Sequence, residues 1–242
     1  MKKSRVCYCT LKIRLRWCWK VNKMTKRLKT SDNIIPTDNH VFIAGMTGTG
    51  KSFLCENYLA HYPNIIKLDT KNVVDERRRE NKNLWAGLTE NRDFSVVRTL
   101  DELPYIETPK IIYAPDFSEQ TPENYDILFD WIFRRENTIL WIDEFTDIGT
   151  ASFCPTNLRR LYVQGRSKNV GVWACTQRPS GIPVISMANS RHFFIFDLNM
   201  VDDRKKVAQI TGQPEFLEMP GGYNFLYYRV GSKKAIKAVL KI

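Results

Sequence analysis

The sequence has 242 residues, 43% hydrophobic and 26% charged, with 37 Lys and Arg against 26 Asp and Glu, for a formal charge of +11. That balance excludes a wholly disordered or collagen-like chain. The basic excess by itself suggests a nucleic-acid or anionic-membrane partner, yet residues 1–30 hold 11 basic side chains and no acidic one, so residues 31–242 carry 26 of each sign.

The body is therefore formally neutral, and at about 210 residues it is long enough for one α/β domain with a sizeable core. We divide the chain into a basic leader, 1–30, and a single domain, 31–242. Within the leader, Leu11, Ile13, Leu15, Trp17, Trp19 and Val21 alternate with Lys12, Arg14, Arg16 and Lys20, the period of a strand. Such a strand could lie on an anionic membrane or on DNA, or be an ordinary edge strand. The segment could equally be sequence upstream of a start at Met24. It lacks the apolar region of a secretory signal, and no stretch of the chain approaches the roughly 18–20 apolar residues of a membrane span. Cys7, Cys9 and Cys18 fall in the leader, while Cys55, Cys154 and Cys175 are scattered without metal-ligand spacing. Reduced thiols are expected, with Cys55 and Cys175 packed as small apolar residues.

From residue 40 short apolar runs alternate with helical stretches, the pattern of a mostly parallel sheet flanked by helices. Taken in order, a strand at His40–Ala44 leads into a helix at Lys51–His61. Strands follow at Ile65–Asp69, Phe94–Arg98 and Ile111–Ala114, then a helix at Pro122–Arg135 capped by Thr121. A strand at Thr138–Asp143, a helix at Thr156–Gln164, strands at Val170–Thr176 and Phe193–Asp197, and a helix at Asp202–Thr211 complete the alternation. The apolar runs ILWID, GVWAC and FFIFD read as strands buried on both faces. Tyr223–Tyr228 and Ala235–Leu240, separated by Gly231-Ser232, read as a closing β-hairpin.

Between the first strand and the first helix stands Gly45-Met46-Thr47-Gly48-Thr49-Gly50-Lys51-Ser52, which matches G-x-x-x-x-G-K-[ST] in the context that pattern needs. Glycines let the backbone curl so that its N–H groups converge on phosphate oxygens. Lys51 offers a cation to the β/γ-phosphates, Ser52 a hydroxyl to Mg²⁺, and the helix N-terminus its positive dipole end. We count residues 45–52 and the following Phe53 as ATP-binding. The strand TILWI ends in Asp143-Glu144, where Asp143 can hold Mg²⁺ through its water shell and Glu144 can polarise a water for attack on the γ-phosphate. A nucleotide kinase needs no base for water, so the pair favours an ATPase. Gln177, after the strand GVWACT, brings an uncharged amide to the same edge, suited to sensing the γ-phosphate.

These residues in this order, and above all GRSKNVGVWACTQRPS followed by ANSRHFFIF and DDRKKV, resemble the FtsK/HerA family of hexameric P-loop DNA-pumping ATPases over roughly residues 40–212. The resemblance implies a RecA-like (ASCE) P-loop fold, with Lys51 and Ser52 on nucleotide and Mg²⁺, Asp143 and Glu144 as the Walker B pair and Gln177 as sensor. It makes Arg166 the best match for an arginine reaching a neighbouring subunit's ATP, with Arg191 second. Family members in cells carry extra domains for which this length leaves no room. A motor of this size looks like the genome-packaging ATPases of double-jelly-roll viruses, some with an internal membrane. The implied partners are double-stranded DNA, further copies in a homo-oligomeric ring, and capsid-vertex or membrane proteins, in the host cytoplasm or the virion.

For DNA contact the candidates are Arg77-Arg78-Arg79, Arg204-Lys205-Lys206, and Arg159, Arg160 and Lys168, expected to grip phosphates with weak sequence preference. Three other readings stand beside this one: a plasmid- or chromosome-type translocase, an assembly ATPase acting on protein, and a small-molecule kinase.

Overall fold

The computed structural model describes residues 34–241; the leader and its alternating segment lie outside the described residues. Among the described residues nine strands form one sheet in the order β3-β4-β2-β5-β6-β1-β7-β8-β9. They are β1 (Val41–Ala44), β2 (Ile65–Leu68), β3 (Phe94–Val97), β4 (Lys110–Tyr113), β5 (Ile139–Ile142), β6 (Gly171–Thr176), β7 (His192–Ile195), β8 (Asn224–Arg229) and β9 (Ile236–Val239). The first seven are mutually parallel, and β7, β8 and β9 pair antiparallel as the expected closing hairpin.

Alternation along the central strands explains why both faces are covered. Leu140 and Ile142 of β5 and Val172 and Ala174 of β6 enter one core layer, with Phe129 and Leu158. Ile139 and Trp141, and Trp173 and Cys175, enter the other, with Leu54 and Trp85. A strand with apolar side chains on both faces has no solvated side, so its sequence is a continuous apolar run. The helices supply the covers: α1 (Lys51–Leu59), α2 (Val73–Arg79), α3 (Pro122–Arg135), α4 (Thr156–Gln164), α5 (Val184–Ala188) and α6 (Val201–Thr211). α3 starts as expected, with Thr121 Oγ1 accepting the Asn124 N–H at 3.2 Å and Pro122 in the first turn. Its buried Tyr125, Leu128, Phe129, Ile132 and Phe133 recur at helical spacing.

α2 and the short α5 are absent from the sequence expectation. α2 buries only Val74, so it has no apolar stripe to read. Its first amides are satisfied from a distance, since the Asp69 carboxylate accepts the N–H groups of Val73 and Val74 at 3.1 and 2.9 Å.

The amino-terminal edge of the sheet holds two buried histidines. His40 Nδ1 accepts the Val172 N–H at 3.0 Å, and His192 lies 2.9 Å from the Tyr227 hydroxyl and 3.2 Å from the Asn39 amide. Burial pushes both down to about 4 from the usual 6.5. Protonation then favours the unfolded chain, so the stability these neutral rings confer is complete above pH 6.5 and lost as the pH falls toward 4. Urea unfolding compared at pH 7 and pH 5 should show a loss of up to ~1.4 kcal/mol per pH unit per histidine; equal stabilities at the two values would contradict it.

Candidate functional site

In a parallel sheet all loops after the strands open at one edge. Here β6 lies between β5 and β1, so the loops that follow β1, β6 and β5 are neighbours in that order. The loop after β1 is fixed by the strands on either side, because Gly45 N–H donates to Thr176 O at 3.1 Å and Met46 N–H to Asp197 O at 2.9 Å. Gly48 and Gly50 have φ of +79° and +103°, the left-handed region where glycine is favoured. A β-carbon on Gly45 would lie 2.5 Å from that of Phe196, and one on Gly50 would lie 2.5 Å from Leu240. The loop is thus closed on one side by Phe196 and the end of the C-terminal hairpin.

Among the described residues no acceptor faces the N–H groups of Lys51, Ser52 and Phe53 in the first turn of α1. They are free donors at a positive helix end, the chemistry that fits a nucleotide's phosphates. Lys51 is buried and folds over the loop, donating to Gly45 O and Met46 O at 2.7 and 2.9 Å. Burial pushes its pKa down, opposed by Glu144 and Asp143. Ser52 Oγ donates to Asp143 Oδ1 at 3.0 Å, so a hydroxyl and a carboxylate stand together as oxygen ligands suited to Mg²⁺. Thr49 Oγ1 donates to Met46 O within the loop, and Phe53 is half-buried.

Glu144 is the centre of the arrangement and is only 3% exposed. Its Oε1 accepts Thr146 Oγ1 at 3.0 Å and the Gln177 N–H at 3.4 Å. Its Oε2 accepts Lys71 Nζ at 2.9 Å and Gln177 Nε2 at 3.1 Å. The Gln177 amide oxygen in turn accepts Thr47 Oγ1 of the loop at 2.9 Å. Burial alone would raise the carboxyl, but the Lys71 ammonium, Thr146 and Gln177 outweigh it and hold it below the usual carboxylate range.

Sequence reasoning missed Lys71, which follows β2 and carries no motif the reading used. It also missed Asp197, whose carbonyl holds Met46 and whose carboxylate accepts the Gly221 N–H at 2.7 Å; the only signal was a polar residue ending FFIFD. Behind the site Cys55 and Cys175 are buried with sulfurs 3.5 Å apart, packed as expected. Among the described residues no group of three or more His, Cys, Asp or Glu could hold a metal by itself.

Arg166 and Arg191 are not brought to this edge. Arg166 precedes β6 and Arg191 precedes β7, at the amino ends, so roughly 13–20 Å of strand separates them from their own phosphate loop. Arg166 is exposed and paired with Asp38 at 3.2 Å. Most of the basic residues expected to grip DNA are held within the chain: Arg77 by Glu56 at 2.7 Å, Arg78 by Glu90 at 2.5 Å, Arg160 by Asp130 at 3.1 Å and Lys168 by Glu136 at 2.6 Å. Lys206 donates to the carbonyls of Ser180 and Ile182. Arg79, Arg159 and Lys205 face solvent.

No family model and no curated protein matches the chain. Solved structures do. The genome packaging NTPase B204 of Sulfolobus turreted icosahedral virus 2, in complex with ATP-gammaS, superposes with a TM-score of 0.68 at 16% identity, over 86% of this chain and 100% of that one. B204, the DNA-packaging ATPase of Sulfolobus turreted icosahedral virus, gives 0.65 at 18% identity, over 84% and 98%. EssC (ATPases 2 and 3) of Geobacillus thermodenitrificans gives 0.55 at 15% identity, over 84% and 39%. At these identities the likeness is one of fold: the chain has the mostly parallel α/β architecture of P-loop ATPases, as its motifs led us to expect.

Gly50→Ala should destabilise the protein by ~1–3 kcal/mol, since it forces a side chain into a left-handed backbone against Leu240. Thermal unfolding measures this, and an unchanged midpoint would mean that the loop relaxes freely.

Proposed function

We propose that the chain is an FtsK/HerA-type ATPase that uses ATP and Mg²⁺ to drive double-stranded DNA into a preformed viral procapsid. The observation that carries the reading is the buried Glu144 beside Asp143, tied through Gln177 to the phosphate loop. A carboxylate so placed serves a water, and the amide between it and the loop reports whether the γ-phosphate is there. The fold likeness to B204, a genome packaging NTPase in one virus and the DNA-packaging ATPase in the other, supports the choice of cargo.

In this reading residues 45–53 bind ATP, Ser52 and Asp143 hold Mg²⁺, Lys51 neutralises the transferring phosphoryl group, Glu144 activates water and Gln177 senses. The single ATPase domain works as a homo-oligomeric ring, a hexamer by the family resemblance, at a capsid vertex, in the host cytoplasm or the virion. Among the described residues no helix is long and apolar enough to cross a membrane. In the same reading Arg166, which lies at the edge of the sheet opposite its own site, serves a neighbour's ATP, with Arg191 as the second choice. Hydrolysis of one subunit's ATP then alters the contact with the next.

ATP turnover with and without double-stranded DNA tests the whole. Turnover should rise about severalfold with DNA of any sequence and fall steeply with salt. Glu144→Gln should retain ATP binding and lose ~100-fold or more in kcat. Arg166→Ala should bind ATP normally and lose ~1,000-fold. Turnover indifferent to DNA would point instead to protein remodelling or to phosphoryl transfer to a metabolite, and normal turnover in Arg166→Ala would remove that residue from the mechanism.

A further inference from the structure

Each oxygen of a carboxylate accepts about two hydrogen bonds, and Glu144 already accepts four, from Thr146, Lys71, and the amide and side chain of Gln177. In this arrangement it has no lone pair for a water proton, so one donor must leave before it can act as a base. The backbone N–H of Gln177 is held by the chain, its side-chain amide is tied at the other end to Thr47 Oγ1 at 2.9 Å, and Thr146 lies two residues along the same loop. Lys71 differs from these three, because it is a flexible stem whose side chain is 43% exposed while that of Glu144 is 4% exposed.

The backbone beneath Lys71 is pinned. Asp69 caps α2 through the N–H groups of Val73 and Val74, and Thr70 Oγ1 donates to Asp147 Oδ2 at 2.6 Å, tying the segment to the loop after β5. A fixed base under a flexible four-carbon stem lets the ammonium exchange partners without moving the chain. Lys71 is the cation paired with Glu144, and a terminal phosphate is a second anion for which its ammonium can exchange.

We propose that Lys71 is a transferable counter-ion, which restrains Glu144 when no nucleotide is bound and moves to the terminal phosphate when a nucleoside triphosphate binds, uncovering Oε2 of Glu144. The inference rests on the ATPase reading above and deepens it. Lys71 is a positioning residue with respect to Glu144, and its transfer would make the water-activating carboxylate available only when a terminal phosphate is present.

A cation that leaves Glu144 for the terminal phosphate must discriminate triphosphate from diphosphate. The test is equilibrium binding of ATP-gammaS and of ADP, each with Mg²⁺, to wild type, Lys71→Met, Lys71→Arg and Lys51→Ala. Lys71→Met should bind ATP-gammaS roughly ten- to a hundredfold more weakly, the range of one charge-assisted contact, and ADP within about threefold of wild type. Lys71→Arg should recover most of the loss. Steady-state kinetics should then show KM for ATP rising in Lys71→Met and returning in Lys71→Arg. Equal effects on the two nucleotides, or none, would overturn the transfer while leaving the ATPase reading intact. Wild type that binds neither nucleotide, and so resembles Lys51→Ala, would overturn both.

Discussion

The burial of one negative charge organises this edge of the molecule. An isolated carboxylate removed from water costs several kcal/mol unless donors replace its hydration, and Glu144 is 3% exposed. The sheet order supplies the replacements. β5, which delivers Glu144, is flanked by β2 on one side and β6 on the other. Lys71 arrives from beyond β2 and Gln177 from beyond β6, so the carboxylate is clamped from both directions while Thr146 closes it from its own loop. No strand order that left β5 at an edge could do this.

The same interposition couples the charge to the phosphate loop. With β6 between β5 and β1, Glu144 does not touch the loop; it meets it through the Gln177 side chain, whose other end holds Thr47. A primary amide is a donor at one end and an acceptor at the other, so it can link a carboxylate to a hydroxyl without adding charge. Glutamate there would place a second anion beside Glu144, and lysine would have no acceptor for Thr47. The requirement is therefore for an amide with this reach, which gives Gln177 a reason that its own position at a strand end does not.

How much of this was legible in the sequence follows the range of the interactions. The parallel sheet, the loop and the Asp-Glu pair rest on local patterns, and α3 and α4 run over Pro122–Arg135 and Thr156–Gln164 as read. Strand ends differ by a residue or two, as at β2, where Asp69 leaves the strand to cap α2. α2 was invisible because one buried residue makes no period. Lys71 was invisible for another reason: its partner lies 73 residues away, and only the adjacency of β2 and β5 makes the pair. A lysine after a strand has no signature of its own.

The charge arithmetic changes meaning once pairs are assigned. A neutral body of 26 basic and 26 acidic residues need not have a neutral surface, but here Arg77, Arg78, Arg160 and Lys168 each face an acidic partner in the same chain. They serve the fold first, and phosphates would have to compete for them. Arg166 is a different case. Its pair with Asp38 is 59% exposed on the arginine side, and exposed pairs are worth only about 0–1 kcal/mol. Such a pair holds a guanidinium in place cheaply and gives it up easily to a stronger anion. Because it stands at the edge of the sheet opposite the phosphate loop, a head-to-tail contact that brought one copy's amino edge to the next copy's loop edge would be heterologous, the kind that forms a ring where its rotation closes and an open filament where it does not.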